Sequence, residues 1–204
     1  GVIDKASNTP IDQNTVFQAA SISKPVFATT LMLYRQDNSL DLDANINTLL
    51  KSWQLPAHAW LGTSNVTLRR LLSHSAGTTV HGFGGYAAGE DVPSIIDVLE
   101  GAPPANSGPL GMARSAFSQP LANALKANAA APHNTKGNPV AGGAHTYATL
   151  AAAGLWTTPT DLLKLAAAMQ KALKGTDQSF ISQATAAEML SKQFGRVGVG
   201  FFLS

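Results

Sequence analysis

Apolar residues recur at helical spacing in two long stretches, and helix dominates the pattern of the chain. In the first stretch, Val26, Phe27, Thr30, Leu31, Leu33 and Tyr34 line up on one face, which predicts a helix over 21–36. Pro25 falls in its first turn, where a missing N–H is tolerated. Asn38 follows as a left-handed cap. In the second stretch, Leu162, Leu163, Leu165, Ala166 and Met169 carry a helix to about residue 173. It opens on Thr158 as cap, then Pro159, with the Asp161 carboxylate third.

Shorter elements fill the rest. Ile46, Leu49 and Leu50 suggest a helical piece, and residues 67–74 a short helix with Leu68, Leu71 and Leu72 inward and Gly77 beyond its end. Gly82, Gly84, Gly85 and Gly89 make 78–89 a loop. Residues 93–100 read as a helix stopped by Gly101. The Pro/Ala/Ser/Gly stretch 102–108 and the glycine-rich 131–143 read as connections. Ser182 caps a last helix through Ser191, and the tail 197–202 looks like the beginning of a strand.

Composition narrows the function classes. The 204 residues form one domain of ordinary size or two small ones. Apolar residues make up 45% and charged residues only 13%, a balance that argues against disorder. The formal net charge is +2, too small an excess to imply a nucleic-acid partner. There is no cysteine, which excludes disulfides, thiolate metal sites and cysteine nucleophiles. No stretch approaches the ~20 apolar residues needed for a membrane span. The five histidines lack zinc-like spacing, and no metal or organic cofactor is expected.

Ser21-Ile22-Ser23-Lys24 places a serine and a lysine at i and i+3, on one helix face. A serine hydroxyl becomes a useful nucleophile only when a base takes its proton, and lysine serves as that base once burial lowers its pKa. A helix start adds unpaired N–H groups that favour negative charge beside Ser21. With 16 Ser and 9 Lys in the chain, one such spacing arises by chance, so the tetrapeptide alone decides nothing.

The surroundings decide more. Phe17-Gln18-Ala19-Ala20-Ser21-Ile22-Ser23-Lys24-Pro25-Val26, followed by Leu40-Asp41-Leu42-Asp43, resembles the active-site helix of the penicillin-recognising serine hydrolases. That superfamily includes class C β-lactamases, D-alanyl-D-alanine carboxypeptidases and related esterases. Val66-Thr67-Leu68-Arg69-Arg70-Leu71-Leu72-Ser73-His74-Ser75-Ala76-Gly77 is similar to a second family block. Pro109-Leu110-Gly111-Met112 resembles a family turn, and Ala152-Ala153-Gly154-Leu155-Trp156-Thr157-Thr158 with Asp161-Leu162 a further block. Together these cover about two-thirds of the chain in the family's order. The resemblance implies an α+β fold of β-lactamase/transpeptidase type, an antiparallel sheet with flanking helices, this chain being mostly the helical part with few strands. It implies acyl transfer through a covalent acyl-enzyme, with Ser21 as nucleophile, Lys24 as its base and the Ser21 N–H as half of the oxyanion hole. The substrate is a small molecule or peptide with an ester, β-lactam or D-amino-acid amide bond. The family's setting favours the periplasm or secretion.

The chain also departs from the family pattern. The expected tyrosine motif between the second block and Pro109 is missing; Tyr86, in Gly85-Tyr86-Ala87-Ala88-Gly89, resembles a family loop instead. The third motif, Lys-Thr-Gly or His-x-Gly, is expected after Phe202, where the chain ends. The expectation is a single β-lactamase-related domain over 1–204 that lacks N-terminal strands, a segment between 107 and 108, and C-terminal strands. The alternative is a catalytically silent relative that binds a ligand or partner in the same cleft. His74 reads as a structural hydrogen-bonding residue, the Asp41/Asp43 pair as packing and capping, and Tyr147 and Trp156 as core.

Overall fold

The computed structural model describes residues 1–56, 66–77, 85–92 and 115–204. The expected helix over 93–100, the connection 102–108 and the Pro109–Met112 turn lie outside the described residues, as does most of the loop 78–89. The chain divides into two compact units, Gly1–Ser23 with Phe83–Ala167 and Lys24–Gly82 with Ala168–Ser204. Among the described residues there are six helices and two small antiparallel sheets, an α+β arrangement with few strands, as the sequence implies.

In the first unit, Asn8 takes a left-handed φ of 52° and folds strand β1 (Val2–Asp4) back onto β2 (Thr9–Pro10). Asn tolerates that conformation because its short polar side chain bonds locally. Strand β3 (Phe17–Gln18) pairs antiparallel with β4 (Trp156–Thr157), setting Phe17 opposite Thr157 and Gln18 opposite Trp156. Val16, Leu121 and Trp156 form the local core, with Leu125, Ala129 and Ala144 against it. Beneath β3, fully buried Thr15 donates to Asn128 at 2.9 Å, and the Asn128 amide donates to Asp12 at 2.7 Å. The Asn128 hydrogen bond, joined by bonds from Asn14 and Thr15 and outweighing desolvation, holds the Asp12 carboxyl down at about 2. Two short helices, α3 (Asn123–Lys126) and α4 (Leu150–Ala153), belong to this unit.

Helix α5 (Pro159–Leu173) starts as the sequence predicts: Thr158 Oγ1 accepts from the Asp161 N–H at 3.0 Å. Asp161 is buried and takes hydrogen bonds from Ser115 at 3.0 Å and Lys164 at 2.6 Å. Buried charge persists only when partnered in this way.

The second unit carries most of helix α1 (Ser23–Asp37), then α2 (Leu68–Leu72) and α6 (Gln183–Met189). The inward face of α1 is Val26, Ala28, Thr29 and Met32, whereas Phe27 and Tyr34 are exposed. The aromatic pair shares a face because it is seven residues apart, and that face is the outward one. Asn38 ends the helix without a left-handed backbone: its side-chain amide donates to the Tyr34 carbonyl at 2.8 Å. The piece near Ile46 is a 3₁₀ turn, Ile46–Thr48, and it packs with Val66 and Ala76. Leu71, expected inward, is 40% exposed. Glu188 on α6 ties Arg35 of α1 to Arg69 of α2, and Arg69 also grips Asp43 through two nitrogens, each at 2.8 Å.

The tail 197–202 is not a strand. Val197 bridges to both Phe194 and Phe202 across tight turns, and Gly200 takes a φ of 82° with its N–H on the Leu72 carbonyl. A side chain at Gly200 would overlap Ala28. The apolar alternation that suggested a strand instead follows glycines that let the backbone lie against α1.

Candidate active site

Ser21 lies in a 3₁₀ turn, Ala20–Ile22, that leads directly into α1. The turn begins with strain, because Ala20 has a φ of 43°. A non-glycine residue in that region costs on the order of 1–3 kcal/mol, and such positions persist only when their surroundings over-determine them. Here the surroundings are specific. The Ala19 N–H donates to the Leu155 carbonyl at 2.7 Å, and the Leu155 N–H returns a bond to Ser23 Oγ at 2.9 Å. Ser23 Oγ in turn donates to the Ala20 carbonyl. Ser23 is fully buried, and α4 packs against the turn. The result is an exposed serine, Ser21, held on a kinked and clamped backbone.

Lys24 follows on the first turn of α1 and is partly buried. Burial lowers its pKa below the ordinary lysine range, because desolvation disfavours the ammonium. A neutral amine fraction is what a lysine base requires.

Ser23 is the residue that sequence reasoning passed over. Helical spacing turns it away from Ser21 and suggests a bystander, but the structure uses its hydroxyl to fix the turn. Only the pairing of serine with the distant Ala-Gly-Leu-Trp block reveals this, since Leu155 is 132 residues further on. In that block Gly154 is required by close approach: a Cβ there would sit 2.6 Å from Leu150 and 3.0 Å from the Gln119 amide.

Beside these elements the first unit opens a cleft of about 720 Å³. Trp156, read from the sequence as core, belongs to the core and also lines the cleft, and half-buried Tyr147 lines it as well. Trp156 is 5% exposed and serves as core and wall at once. Tyr86 forms an antiparallel bridge with Thr146, with backbone hydrogen bonds of 2.7 and 2.8 Å in the two directions. His74 stacks on Phe202 with ring centroids 5.7 Å apart, a structural contact. Asp43 is an ion-pair partner of Arg69, while Asp41 caps the Asp43 N–H at 2.8 Å.

Comparison with known proteins shows the family and the fold. Residues 1–203 match the family described as Beta-lactamase. No curated protein matches the sequence. Solved structures similar to it include a D-alanine carboxypeptidase AmpC from Burkholderia cenocepacia (TM-score 0.62, 19% identity), which covers 93% of this chain and 58% of its own. A class C β-lactamase aligns with TM-score 0.63 at 18% identity, over 93% of this chain and 59% of its own. The hydrolase EstCE1, with promiscuous acyltransferase activity, aligns with TM-score 0.68 at 19% identity, over 98% and 72%. The chain thus spans a little under three-fifths of the first two.

Proposed function

This chain belongs to the β-lactamase family, within the penicillin-recognising serine hydrolases, and from that premise we propose that it is a serine hydrolase working through an acyl-enzyme on Ser21. The observation that carries this reading is the clamped turn: strain at Ala20, anchored through Ser23 and Leu155, presents an exposed Ser21 ahead of a lysine whose pKa burial lowers. Neutral Lys24 takes the Ser21 proton as Oγ attacks the carbonyl carbon. The proton passes to the leaving alcohol or amine as its bond to that carbon breaks. Water then attacks the ester on Ser21, releasing the acid and restoring the serine. The Ser21 N–H supplies one donor to the oxyanion, a contribution of about 3–4 kcal/mol where such donors have been removed. The bond cleaved is an ester, β-lactam or D-amino-acid amide in a small molecule or peptide.

Intact mass spectrometry before and after incubation with a fluorescent penicillin and with a fluorophosphonate tests the reading. A single adduct on Ser21, absent from Ser21→Ala, is the expected result. Absence of any adduct from folded protein overturns it and leaves the silent relative.

A further inference from the structure

We propose that Gln119 is a positioning residue for the Ser21 N–H, acting through a directed chain of hydrogen bonds that ends on the Ala20–Ser21 peptide group. The inference rests on Ser21 being the nucleophile and adds what aims its oxyanion donor.

The chain of bonds is continuous and lies wholly within the first unit. The Gln119 side-chain amide donates to the Gly154 carbonyl at 2.8 Å. At the other end of that same peptide group, the Leu155 N–H donates to Ser23 Oγ at 2.9 Å. Ser23 Oγ donates in turn to the Ala20 carbonyl, which also accepts the Ser23 N–H. The Ala20 carbonyl and the Ser21 N–H are the two ends of one planar trans peptide and point opposite ways. Whatever fixes that carbonyl therefore fixes the direction of the N–H. Every bond runs in the same sense, so each polarises the next and the last makes the Ser21 N–H a stronger donor.

The chemistry of Gln119 suits the head of this chain. Its amide carries a donor and an acceptor in one plane. The Gly154 carbonyl can only accept, and the Tyr147 N–H, which donates to Gln119 Oε1 at 2.6 Å, can only donate. The amide thus has one orientation, and it ties together both ends of the segment that carries α4 (Leu150–Ala153). Helix α4 packs on the Ser21 turn, and the Leu155 carbonyl accepts the Ala19 N–H at 2.7 Å. Gln119 and Ser23 therefore grip the two ends of the Gly154–Leu155 peptide group, and neither end is free to turn alone.

Single-turnover acylation by p-nitrophenyl acetate, read as a rate constant and a separate dissociation constant, tests this. The variants are Gln119→Met, Gln119→Glu, Ser23→Ala and the double variant Gln119→Met with Ser23→Ala. Methionine keeps the length and loses both hydrogen bonds. Glutamate keeps the bond from Tyr147 and, ionised, has no donor for Gly154, so it reads the chain even if the methionine variant does not fold. The expected result is an acylation rate about tenfold lower in each single variant, with the dissociation constant unchanged. The loss is smaller than the roughly 10²–10³ that follows removal of an oxyanion donor, because the donor remains and only its aim loosens. The double variant should lose no more than the larger single, since both side chains act through one peptide group. Arg69→Ala, which lowers stability away from the turn, should keep the rate. An unchanged rate in the folded Gln119 variants, or a double-variant loss equal to the product of the singles, overturns the proposal. Acylation that survives Ser21→Ala overturns the catalytic reading instead. The same cycle by chemical denaturation then decides the chain of bonds: non-additive losses sustain it and additive losses overturn it.

Discussion

The two units use polar groups differently. In the first, hydroxyls and backbone amides converge on one strained turn: Ser23, Ala19 and Leu155 restrain Ala20. In the second, charge ties helices together, with Glu188 between Arg35 and Arg69 and Asp43 completing the row. Neutral hydrogen bonds of defined direction position atoms, and a buried one left unmade costs more than a made one contributes. Exposed or half-exposed ion pairs add modest stability and tolerate change. Substitution in the first unit, and at Lys24 where the second begins, should therefore alter chemistry, and elsewhere in the second it should alter only stability.

The largest effect is expected at the nucleophile. Ser21→Ala should abolish the covalent adduct in mass spectrometry while leaving the thermal midpoint nearly unchanged, because its side chain is exposed. Lys24→Ala should slow acylation by about 10²–10⁴, the range for loss of a positioned base. In the unaltered protein the acylation rate should climb with pH and level off below the pH at which an ordinary lysine deprotonates, since burial lowers the Lys24 pKa.

Lys24 also carries a stability consequence. Its folded pKa is lowered, so between that value and the ordinary lysine value the unfolded chain binds more protons and stability rises with pH. At neutral pH the buried ammonium is a cost, and Lys24→Met should raise the melting temperature while removing activity.

Ser23→Ala sharpens the comparison most. It removes a fully buried hydroxyl and leaves the Leu155 N–H without its partner, a loss of about 1–3 kcal/mol by chemical denaturation. Acylation should fall with it, through kcat more than KM, because the turn relaxes. Arg69→Ala should cost about 1 kcal/mol yet leave the acylation rate unchanged; a comparable loss of acylation would erase the distinction between the units.

The smallest effects come with acid. Asp43 is held below the usual carboxylate range by the Arg69 hydrogen bond; at Glu188 burial acts upward, and the bonds from Arg69 and Arg35 outweigh it. A lowered folded pKa stabilises above the unfolded value and is lost as pH falls through the folded one. Both contributions should fade below the ordinary carboxylate range, and that of Asp12 only as pH approaches about 2. Arg69→Ala should flatten the upper part of an acid-unfolding curve and leave the Asp12 part intact.

Local signals of the sequence carried far. The cap at Thr158 and the start of α5 were legible because capping depends on neighbours three residues apart. The cap at Ser182 was legible for the same reason: its Oγ accepts from Thr185 at 3.1 Å. The family resemblance, read from blocks in order, determined the α+β fold and singled out Ser21 and Lys24. Tertiary structure alone decided which face of α1 is buried, since Phe27 and Tyr34 are as apolar as Val26 and Met32 and only the partners differ. It decided that 197–202 folds as turns, because a strand needs a neighbour that no local pattern specifies. It decided the role of Ser23 as well, whose partner at Leu155 is distant in the chain. Spacing governs what a segment can form; burial and hydrogen bonding between remote segments govern what it is used for.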